Sequence, residues 1–253
     1  MKTKTNYNEI ALNYNLRYKI NPMLGVSKAL LNIASKTKSK NILEVGCGTG
    51  HWLNELNLLD LHKFGVDYSA GMLKEAKKLN NKLELIRADA NSLPFVNGKF
   101  DLIFCVNAIH QFNYQREFIL NSVHLLKPNG MFALIGLDPG SKNDEWYVYD
   151  FFEGTLEKDL KRFPSVELIE FWMKEAGLRN VKKNIVESIF KDMTGEEVFN
   201  DSFLLKDQSS QLASLSEEEY LIGMNKLENA IKEDPQIVFP VRLTFSSMIG
   251  IKE

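Results

Sequence analysis

The sequence is poor in the residues that cross-link a chain or bind metal. Its 253 residues include two cysteines, Cys47 and Cys105, and four histidines, and these form no cluster with metal-ligand spacing. We therefore expect no disulfide framework, no structural zinc and no other bound metal. The scarcity of cysteine also favours a reducing compartment, so we expect a cytoplasmic protein.

An excess of one charge sign is absent as well. The chain has 31 basic and 33 acidic residues, for a net charge of −2. Lys36, Lys38 and Lys40 are too few for a nucleic-acid-binding surface and indicate a solvated helix end. No apolar run approaches the roughly 20 residues of a membrane helix, and the first residues lack the apolar segment of a signal peptide. We expect neither a nucleic-acid partner nor a membrane partner.

The most informative feature that is present is a glycine-rich turn in the segment 41–50, N-I-L-E-V-G-C-G-T-G. An apolar run precedes three alternate glycines, Gly46, Gly48 and Gly50, and an amphipathic run with helical spacing follows them. This order predicts a strand, a tight turn and a helix. Glycine lets the backbone turn sharply and lets a ligand approach it, and the helix N-terminus offers free N–H groups.

The spacing of these glycines disfavours a dinucleotide site and excludes a P-loop. A dinucleotide-binding turn reads G-x-G-x-x-G, but this turn reads G-x-G-x-G and has His51 where the third glycine would stand. A P-loop requires G-K-[ST], which the turn lacks. The ligand of this turn is therefore expected to be of another class.

Polar residues stand where the next predicted strands end. The patterns predict strands over 63–66, 83–87, 100–106, 131–137, 181–190 and 237–251, and helices over 69–79, 118–126, 166–176 and 194–233. Asp67, Asp89 and Asn107 follow the first three of these strands. An acid at the tip of the second strand of a doubly wound sheet can accept hydrogen bonds from both hydroxyls of a ribose.

These motifs together resemble the class I S-adenosylmethionine (SAM) methyltransferases. The segment 100–112, F-D-L-I-F-C-V-N-A-I-H-Q-F, and the segment 125–131, L-L-K-P-N-G-M, are similar to the type-11 group, which includes ubiquinone and menaquinone C-methyltransferases. The resemblance covers residues 41–137. It implies an α/β fold with a doubly wound, mostly parallel, Rossmann-like sheet of seven strands, the last of them antiparallel.

The resemblance also implies a set of cofactor-binding residues. They are Tyr14, Glu44, Gly46, Cys47, Gly48, Gly50, Asp67, Tyr68, Met72, Asp89, Ala90 and Asn107. Glu44 would orient the turn and bind the ammonium of SAM, directly or through water. Asp67 would hold the ribose, Asp89 and the Ala90 N–H would bind the adenine, and Asn107 would face the methionine portion.

Residues 1–38 are expected to form a helical lid, since the N-terminal segment resembles the lid that covers the cofactor in relatives. A tyrosine there can donate its hydroxyl to a carboxylate while its ring excludes water. Tyr7 and Tyr18, with Gln111 after the fourth strand, are candidates for the acceptor side. The alternative for the tyrosines is that they cap the core.

We interpret residues 1–253 as a single domain with a cofactor-binding core at 41–137. Two further segments are expected beside this core. The insertion 138–163 contains an aromatic block in which Trp146 and Tyr147 are candidate walls of an acceptor pocket. The same rings could instead pack the insertion onto the domain. A helical insertion, 194–235, either covers the site, forms a dimer contact or faces solvent, so both a monomer and a homodimer remain open.

His110 is the candidate general base. It follows Asn107 closely, and an ordinary histidine pKa near 6.5 suits proton removal at neutral pH. The alternatives are that His110 caps the next helix or packs beneath the cofactor. His51 could face the pocket from the start of its helix or lie at the surface.

Three functions are consistent with the sequence. The first is a methyltransferase that moves the methyl group of SAM to a small-molecule acceptor by in-line displacement and releases S-adenosylhomocysteine (SAH). The second is a SAM-binding protein of the same fold that lacks catalysis. The third is an NAD(P)-dependent oxidoreductase, which the glycine spacing disfavours.

Overall fold

The computed structural model describes residues 6–37, 40–141 and 144–253. The first residues of the predicted lid, its Lys38 and two residues of the 138–163 insertion lie outside these ranges. No helix in the described ranges has the length and apolar character needed to cross a bilayer.

An eight-stranded sheet organises the molecule. The strands are β1 (Asn41–Val45), β2 (His62–Asp67), β3 (Glu84–Arg87), β4 (Phe100–Val106), β5 (Leu126–Gly136), β6 (Glu145–Trp146), β7 (Leu178–Thr194) and β8 (Val238–Lys252). Their order is β3-β2-β1-β4-β5-β8, with β6 and β7 also paired to β8. The first five strands are parallel to one another, and β8 runs antiparallel to β5, β6 and β7. The predicted fold class is confirmed, with the two-residue β6 as an additional strand.

Helices cover both faces of the sheet. They are α1 (Tyr7–Ile10), α2 (Leu16–Ile20), α3 (Leu24–Lys36), α4 (His51–Glu55), α5 (Ala70–Leu79), α6 (Gln115–Leu125), α7 (Tyr147–Phe151), α8 (Thr155–Arg162), α9 (Val166–Glu175) and α10 (Glu217–Glu233). The α3 and α4 helices bury Leu30 and Trp52 in one core cluster. The α6 and α9 helices bury Phe118 and Ile169 in the other.

Alternation along the central strands explains why there are two cores. Successive side chains of a strand point to opposite faces of a sheet. Accordingly, Ile42 of β1 and Phe104 of β4 lie in one cluster. Their neighbours Leu43 and Cys105 lie in the other. Strands buried on both faces read as continuous apolar runs, as β1 and β4 do.

The fifth strand begins earlier than predicted. The turn-like sequence 127–130 was expected to separate a helix from a strand starting at Met131, but β5 already begins at Leu126. The register shows how the turn is accommodated, because Phe100 pairs with Leu126 whereas Leu102 pairs with Met131. The turn residues form a bulge inside the strand, and Asn129 there has a left-handed φ of 62°.

The insertion 194–235 is less helical than predicted. Both capping boxes form, at Thr194 and at Ser216. Only α10 is a regular helix, however, and 195–215 contains three short 3₁₀ turns and loops. Phe203 and Leu212 of this segment are buried in a core cluster. The helical prediction was wrong for 195–215. Here buried apolar side chains hold an irregular segment against the domain.

One glycine of α10 tests how tightly the insertion is packed. A Cβ added at Gly223 would lie 2.2 Å from Cδ1 of Phe152, whose ring is fully buried. We expect Gly223→Ala to lower the free energy of unfolding by about 1–3 kcal/mol in urea denaturation, as overpacked cores do. The control is Asn229→Ala on the exposed face of α10. Equal stability of the two variants would contradict the expectation.

Candidate functional site

A cavity of about 490 Å³ opens at the carboxyl edge of β1, β2, β3 and β4, beneath the N-terminal helices. This is the edge at which open α/β sheets bind ligands. All predicted cofactor-binding residues except Gly50 line it. The cavity therefore gathers residues that are up to 93 positions apart, from Tyr14 to Asn107.

The three glycines of the turn each have a different physical role. All three have left-handed φ values, of 73°, 52° and 73° for Gly46, Gly48 and Gly50. A Cβ at Gly46 would lie 2.4 Å from Cβ of Ala108, so this glycine permits close approach of the loop after β4. A Cβ at Gly50 would press on Ala76 of α5, whereas at Gly48 it would meet no protein atom. Gly48 is thus the position where the backbone itself faces the cavity.

Asp67, at the tip of β2, is tied to the glycine turn. One carboxylate oxygen accepts a hydrogen bond from the Gly48 N–H at 2.8 Å, and the other accepts one from the Ser69 N–H at 2.8 Å. The side chain of Asp67 is half-buried. Burial raises its pKa, and the two N–H donors oppose that shift. Each carboxylate oxygen has capacity for a further donor, and Asp67 lines the cavity.

Glu44, at the end of β1, is a buried carboxyl group without a partner. It is 1% exposed, it lines the cavity, and neither oxygen has a hydrogen-bond partner among the described residues. Burial, and next the charge of Asp67, hold its pKa well above the ordinary value. The nearby backbone N–H of Leu53 opposes this shift, but it does not meet hydrogen-bond geometry with either oxygen. A buried acid of this kind is unfavourable unless a ligand supplies a donor or a positive charge.

Asp89 and Ala90 follow β3 at the far end of the cavity. Oδ1 of Asp89 accepts hydrogen bonds from the backbone and side-chain nitrogens of Asn91, at 2.9 and 3.0 Å. Its other oxygen is available to a ligand. Met72, which is buried, and the exposed Tyr68 also line the cavity.

Asn107 occupies a strained backbone position at the tip of β4. Its φ is 50°, a left-handed value that asparagine tolerates better than most residues. Its N–H donates to the Ile135 carbonyl of β5 at 2.8 Å. This geometry turns the chain so that Ala108 and Gln111 also face the cavity.

The N-terminal helices are docked over the cavity by hydrogen bonds on two sides. Oδ1 of Asn8 accepts from the Gly71 N–H at 2.8 Å and from the Ser69 hydroxyl at 2.9 Å. On the opposite side, Asn13 donates to Asp207 at 3.2 Å and accepts from Gln208 at 3.1 Å. The lid therefore contacts both the cofactor edge and the 194–235 insertion.

Two residues at this wall had no assigned role in the sequence interpretation. Arg17 lines the cavity and lies 4.9 Å from the ring centroid of Tyr14. His51, for which the sequence left two positions open, also lines the cavity and stacks on Tyr18 with ring centroids 3.7 Å apart. The spacing of Tyr14, Arg17 and Tyr18 at one helical turn is the signal that would have linked Arg17 to the tyrosines.

The tentative acceptor-side residues separate into two groups. Tyr7, Tyr18 and Gln111 line the cavity. Trp146 and Tyr147 do not, because they are buried in a core cluster, where the Tyr147 hydroxyl donates to Asp201 at 3.0 Å. Of the two interpretations of the aromatic block, its packing into the domain is the one that the contacts of these two rings support.

His110 lies behind the main cavity rather than in it. Its ring is buried and stacks on Phe163 with centroids 4.0 Å apart. Its Nε2 is 3.5 Å from the Ser210 hydroxyl. Burial, then Arg162 and Arg17, hold its pKa well below 6.5. The position and the low basicity both disfavour the predicted role as a base and favour a packing role.

A buried polar network surrounds His110. Asp159, which is fully buried, accepts hydrogen bonds from Tyr149 at 2.8 Å, from Gln211 at 2.7 Å and from Arg162 at 2.8 Å. Arg162 in turn donates to the Ser210 hydroxyl at 2.8 Å. Because Asp159 is paired with Arg162, the charges of this network offset each other.

The low pKa of His110 leads us to predict how the free energy of unfolding depends on pH. The unfolded chain takes up a proton at this histidine below pH 6.5 or so, whereas the folded chain does not, so stability is lost as pH falls through that region. Between pH 7 and 5.5 we expect His110→Gln to flatten the pH dependence of the free energy of unfolding by up to about 1.4 kcal/mol per pH unit. The control is His124→Gln at an exposed site, and equal slopes for both variants would refute the prediction.

The part of the chain that matches known proteins contains most of the residues that line this cavity. Residues 43–134 match the family described as a methyltransferase domain. A curated relative, the phthiotriol/phenolphthiotriol dimycocerosates methyltransferase of Mycobacterium leprae, is 31% identical over 153 residues, which is 56% of this chain and 56% of that protein. The chain therefore aligns with little more than half the length of this relative.

Solved structures of low identity share the fold. The YcgJ protein of Bacillus subtilis has a TM-score of 0.60 at 17% identity, over 89% of this chain and 99% of that chain. The phosphoethanolamine N-methyltransferase 2 of Haemonchus contortus, solved with phosphomonomethylethanolamine and SAH, has a TM-score of 0.55 at 17% identity, over 89% of this chain and 52% of that chain.

Proposed function

We propose that this chain, whose residues 43–134 match a methyltransferase domain, transfers a methyl group from SAM to a small-molecule acceptor. The observation that carries the proposal is the arrangement of Glu44, Asp67 and Asp89 at the tips of three adjacent strands around Gly48. We assign these three positions to the ammonium, the ribose and the adenine of one extended ligand.

The polar side chains of the cavity fit the polar groups of SAM. The unpartnered carboxyl of Glu44 would receive the ammonium, which supplies the donors that the protein does not. Asp67 would accept from the ribose hydroxyls while still holding the turn through Gly48. Asp89 would accept from the adenine amino group beside the Ala90 N–H, and Asn107 would face the methionine portion.

When bound, SAM supplies an electrophilic methyl group on a sulfonium. The contribution of the chain is to hold the acceptor in line with that methyl group, at an approach distance of roughly 3 Å, and to exclude water. Tyr7, Tyr14 and Tyr18 of the lid would close this space. His110 is outside the cavity, so no proton transfer to it is part of the proposal.

We also propose the wider assignments that the sequence suggested. Residues 1–253 would act as one catalytic unit in the cytoplasm, as a monomer or homodimer, on an acceptor that is not nucleic acid. The balanced charge of the chain supports the last point.

Titration calorimetry with SAM, SAH and NAD tests the proposal. We expect SAM and SAH to bind and NAD not to bind, followed by methyl transfer to acceptors from a small-molecule panel. Binding of NAD alone would favour the oxidoreductase alternative. Tight binding of SAM without transfer to any acceptor would favour the non-catalytic alternative.

A further inference from the structure

The N-terminal lid exposes large apolar side chains at a regular interval. Leu12, Leu16, Ile20 and Leu24 follow one another at four-residue spacing and are between 42% and 74% exposed. Leu16 and Ile20 lie one turn apart on α2. The chain before α2 continues this turn, because the Leu16 N–H donates to the Asn13 carbonyl at 2.9 Å. We call the four exposed side chains the apolar lid residues. Exposed apolar side chains that cluster in this way mark a binding surface.

The other side of α2 belongs to the cavity. Arg17 and Tyr18 of this helix line the cavity, together with Tyr14 one turn earlier. Leu16 and Ile20 are absent from the cavity lining and are exposed instead. One short helix therefore has an inner face in the cavity wall and an outer face that is open to a partner.

The N-terminal segment is also strongly basic, in contrast to the rest of the chain. Residues 1–40 contain eight basic residues and one acidic residue, which gives a net charge of +7. The remaining residues carry −9 of the total of −2. No acidic residue occurs between Glu9 and Glu44. The balanced total therefore conceals a basic segment that attracts anionic partners.

Exposed lysines place this charge beside the apolar lid residues. Lys19 precedes Ile20 on α2, and Lys28 lies one turn after Leu24 on α3. Lys36, two turns beyond Lys28, extends the exposed side of α3. None of these three lysines forms an ion pair with a carboxylate in the ranges that the structure describes. Their charges are therefore available to an anionic surface.

The acidic side chains of neighbouring elements that bond to this segment leave these lysines unpaired. Instead, they accept hydrogen bonds from other groups and fasten the segment to the domain. They are Asp207, from Asn13 at 3.2 Å, Glu187, from the Gly25 N–H at 2.6 Å, and Glu55, from the Ser27 hydroxyl at 3.1 Å.

We propose that the outer face of the lid docks on an anionic lipid surface. The apolar lid residues would enter the boundary between head groups and acyl chains, and Lys19, Lys28 and Lys36 would lie at the lipid phosphates. Amphipathic segments with leucine on one side and lysine beside it bind membranes in this way. We expected no membrane partner because a spanning segment and a signal peptide are lacking, but a surface-bound protein needs neither. Docking does not depend on methyl transfer, although it would bring the cavity to the bilayer.

Two other occupants of this face fit its chemistry less well. A second copy of the chain would bring two segments of charge +7 together, and these would repel each other. A nucleic acid would neutralise the lysines through its phosphates but would offer the apolar lid residues nothing apolar to contact. The combination of lysine with leucine and isoleucine therefore favours a lipid surface.

Co-sedimentation of the full chain with vesicles tests the inference. One set of vesicles is phosphatidylcholine alone, and the other contains about one-third phosphatidylglycerol, which supplies the negative charge. Two lid variants are compared with wild type. The apolar variant combines Leu16→Ser with Ile20→Ser, and the lysine variant combines Lys19→Gln, Lys28→Gln and Lys36→Gln.

Each lid variant has a matched control on another surface. The apolar control combines Leu221→Ser with Ile222→Ser, a pair on α10 of similar exposure. The lysine control removes the same number of charges from exposed positions of α8, α9 and α10. It combines Lys161→Gln, Lys174→Gln and Lys232→Gln. Thermal unfolding followed by circular dichroism verifies that all variants are folded.

We expect wild type and both controls to bind the anionic vesicles at least about tenfold more tightly than the neutral ones, and each lid variant to lose at least about tenfold of that affinity. Equal affinity of wild type for both vesicles would overturn the inference, as would equal losses in a lid variant and its control. Loss in the lysine variant alone would indicate a site for a soluble polyanion instead. A dimer in sedimentation velocity that the apolar variant abolishes, without vesicle binding, would assign the face to a second copy.

Discussion

Asp67→Asn is expected to weaken the binding of SAH by about 10- to 100-fold. The substitution replaces a carboxylate that can accept from both ribose hydroxyls with an amide that has one acceptor oxygen, and hydrogen bonds to charged groups contribute about 1.5–3 kcal/mol each. The amide oxygen can still accept from the Gly48 N–H or the Ser69 N–H, so the fold should survive. Calorimetry of the purified variant measures the loss.

The assignment of Asp67 to the ribose also predicts how this variant binds a second ligand. Because 5′-methylthioadenosine keeps the ribose, its affinity should fall by the same factor as that of SAH. The control is Asp60→Asn, which removes an exposed carboxylate just before β2 and should leave both affinities unchanged. If Asp67→Asn binds SAH as tightly as wild type at equal thermal stability, Asp67 is not the ribose ligand.

Glu44→Gln is expected to weaken SAH by a similar factor and to leave 5′-methylthioadenosine unaffected. The reason is that Glu44 is assigned to the ammonium, which only SAH carries. Removing a buried, unpartnered carboxyl should also raise the free energy of unfolding of the ligand-free protein. Glu84→Gln, at an exposed glutamate of β3, is the control.

The raised pKa of Glu44 adds a pH signature to this prediction. In the ligand-free protein the carboxyl keeps its proton to higher pH than usual. A bound ammonium favours the ionised form, so binding should release a proton and SAH affinity should rise with pH. Calorimetry in buffers of different ionisation enthalpy detects that proton. Proton release of equal size in wild type and Glu44→Gln would exclude Glu44 as its source.

The cofactor half of the site was predictable because its signals are local. A glycine turn and the residue after each strand are adjacent in sequence to the elements that place them. Parallel strands then bring their carboxyl ends to one edge of the sheet, so Glu44, Asp67, Asp89 and Asn107 meet in one cavity as expected.

The positions of the candidate acceptor-side residues were harder to predict because their contacts are distant in sequence. Loop proximity to Asn107 suggested His110 as a base, but tertiary packing places its ring on Phe163, behind the cavity wall. The aromatic block suggested Trp146 and Tyr147, but their burial assigns them to the core. No periodicity in the sequence distinguishes a ring that lines a pocket from one that packs beneath it.

By itself, the sequence determined the doubly wound sheet, the ligand-binding edge and the residues at the strand tips, since hydrophobic period and glycine spacing act over a few residues. Only the tertiary structure decided which side chains share the cavity. It tied Asp67 to Gly48, left Glu44 without a partner and brought Arg17 into the wall. These outcomes depend on burial and on contacts between segments far apart in the chain, which local patterns do not encode.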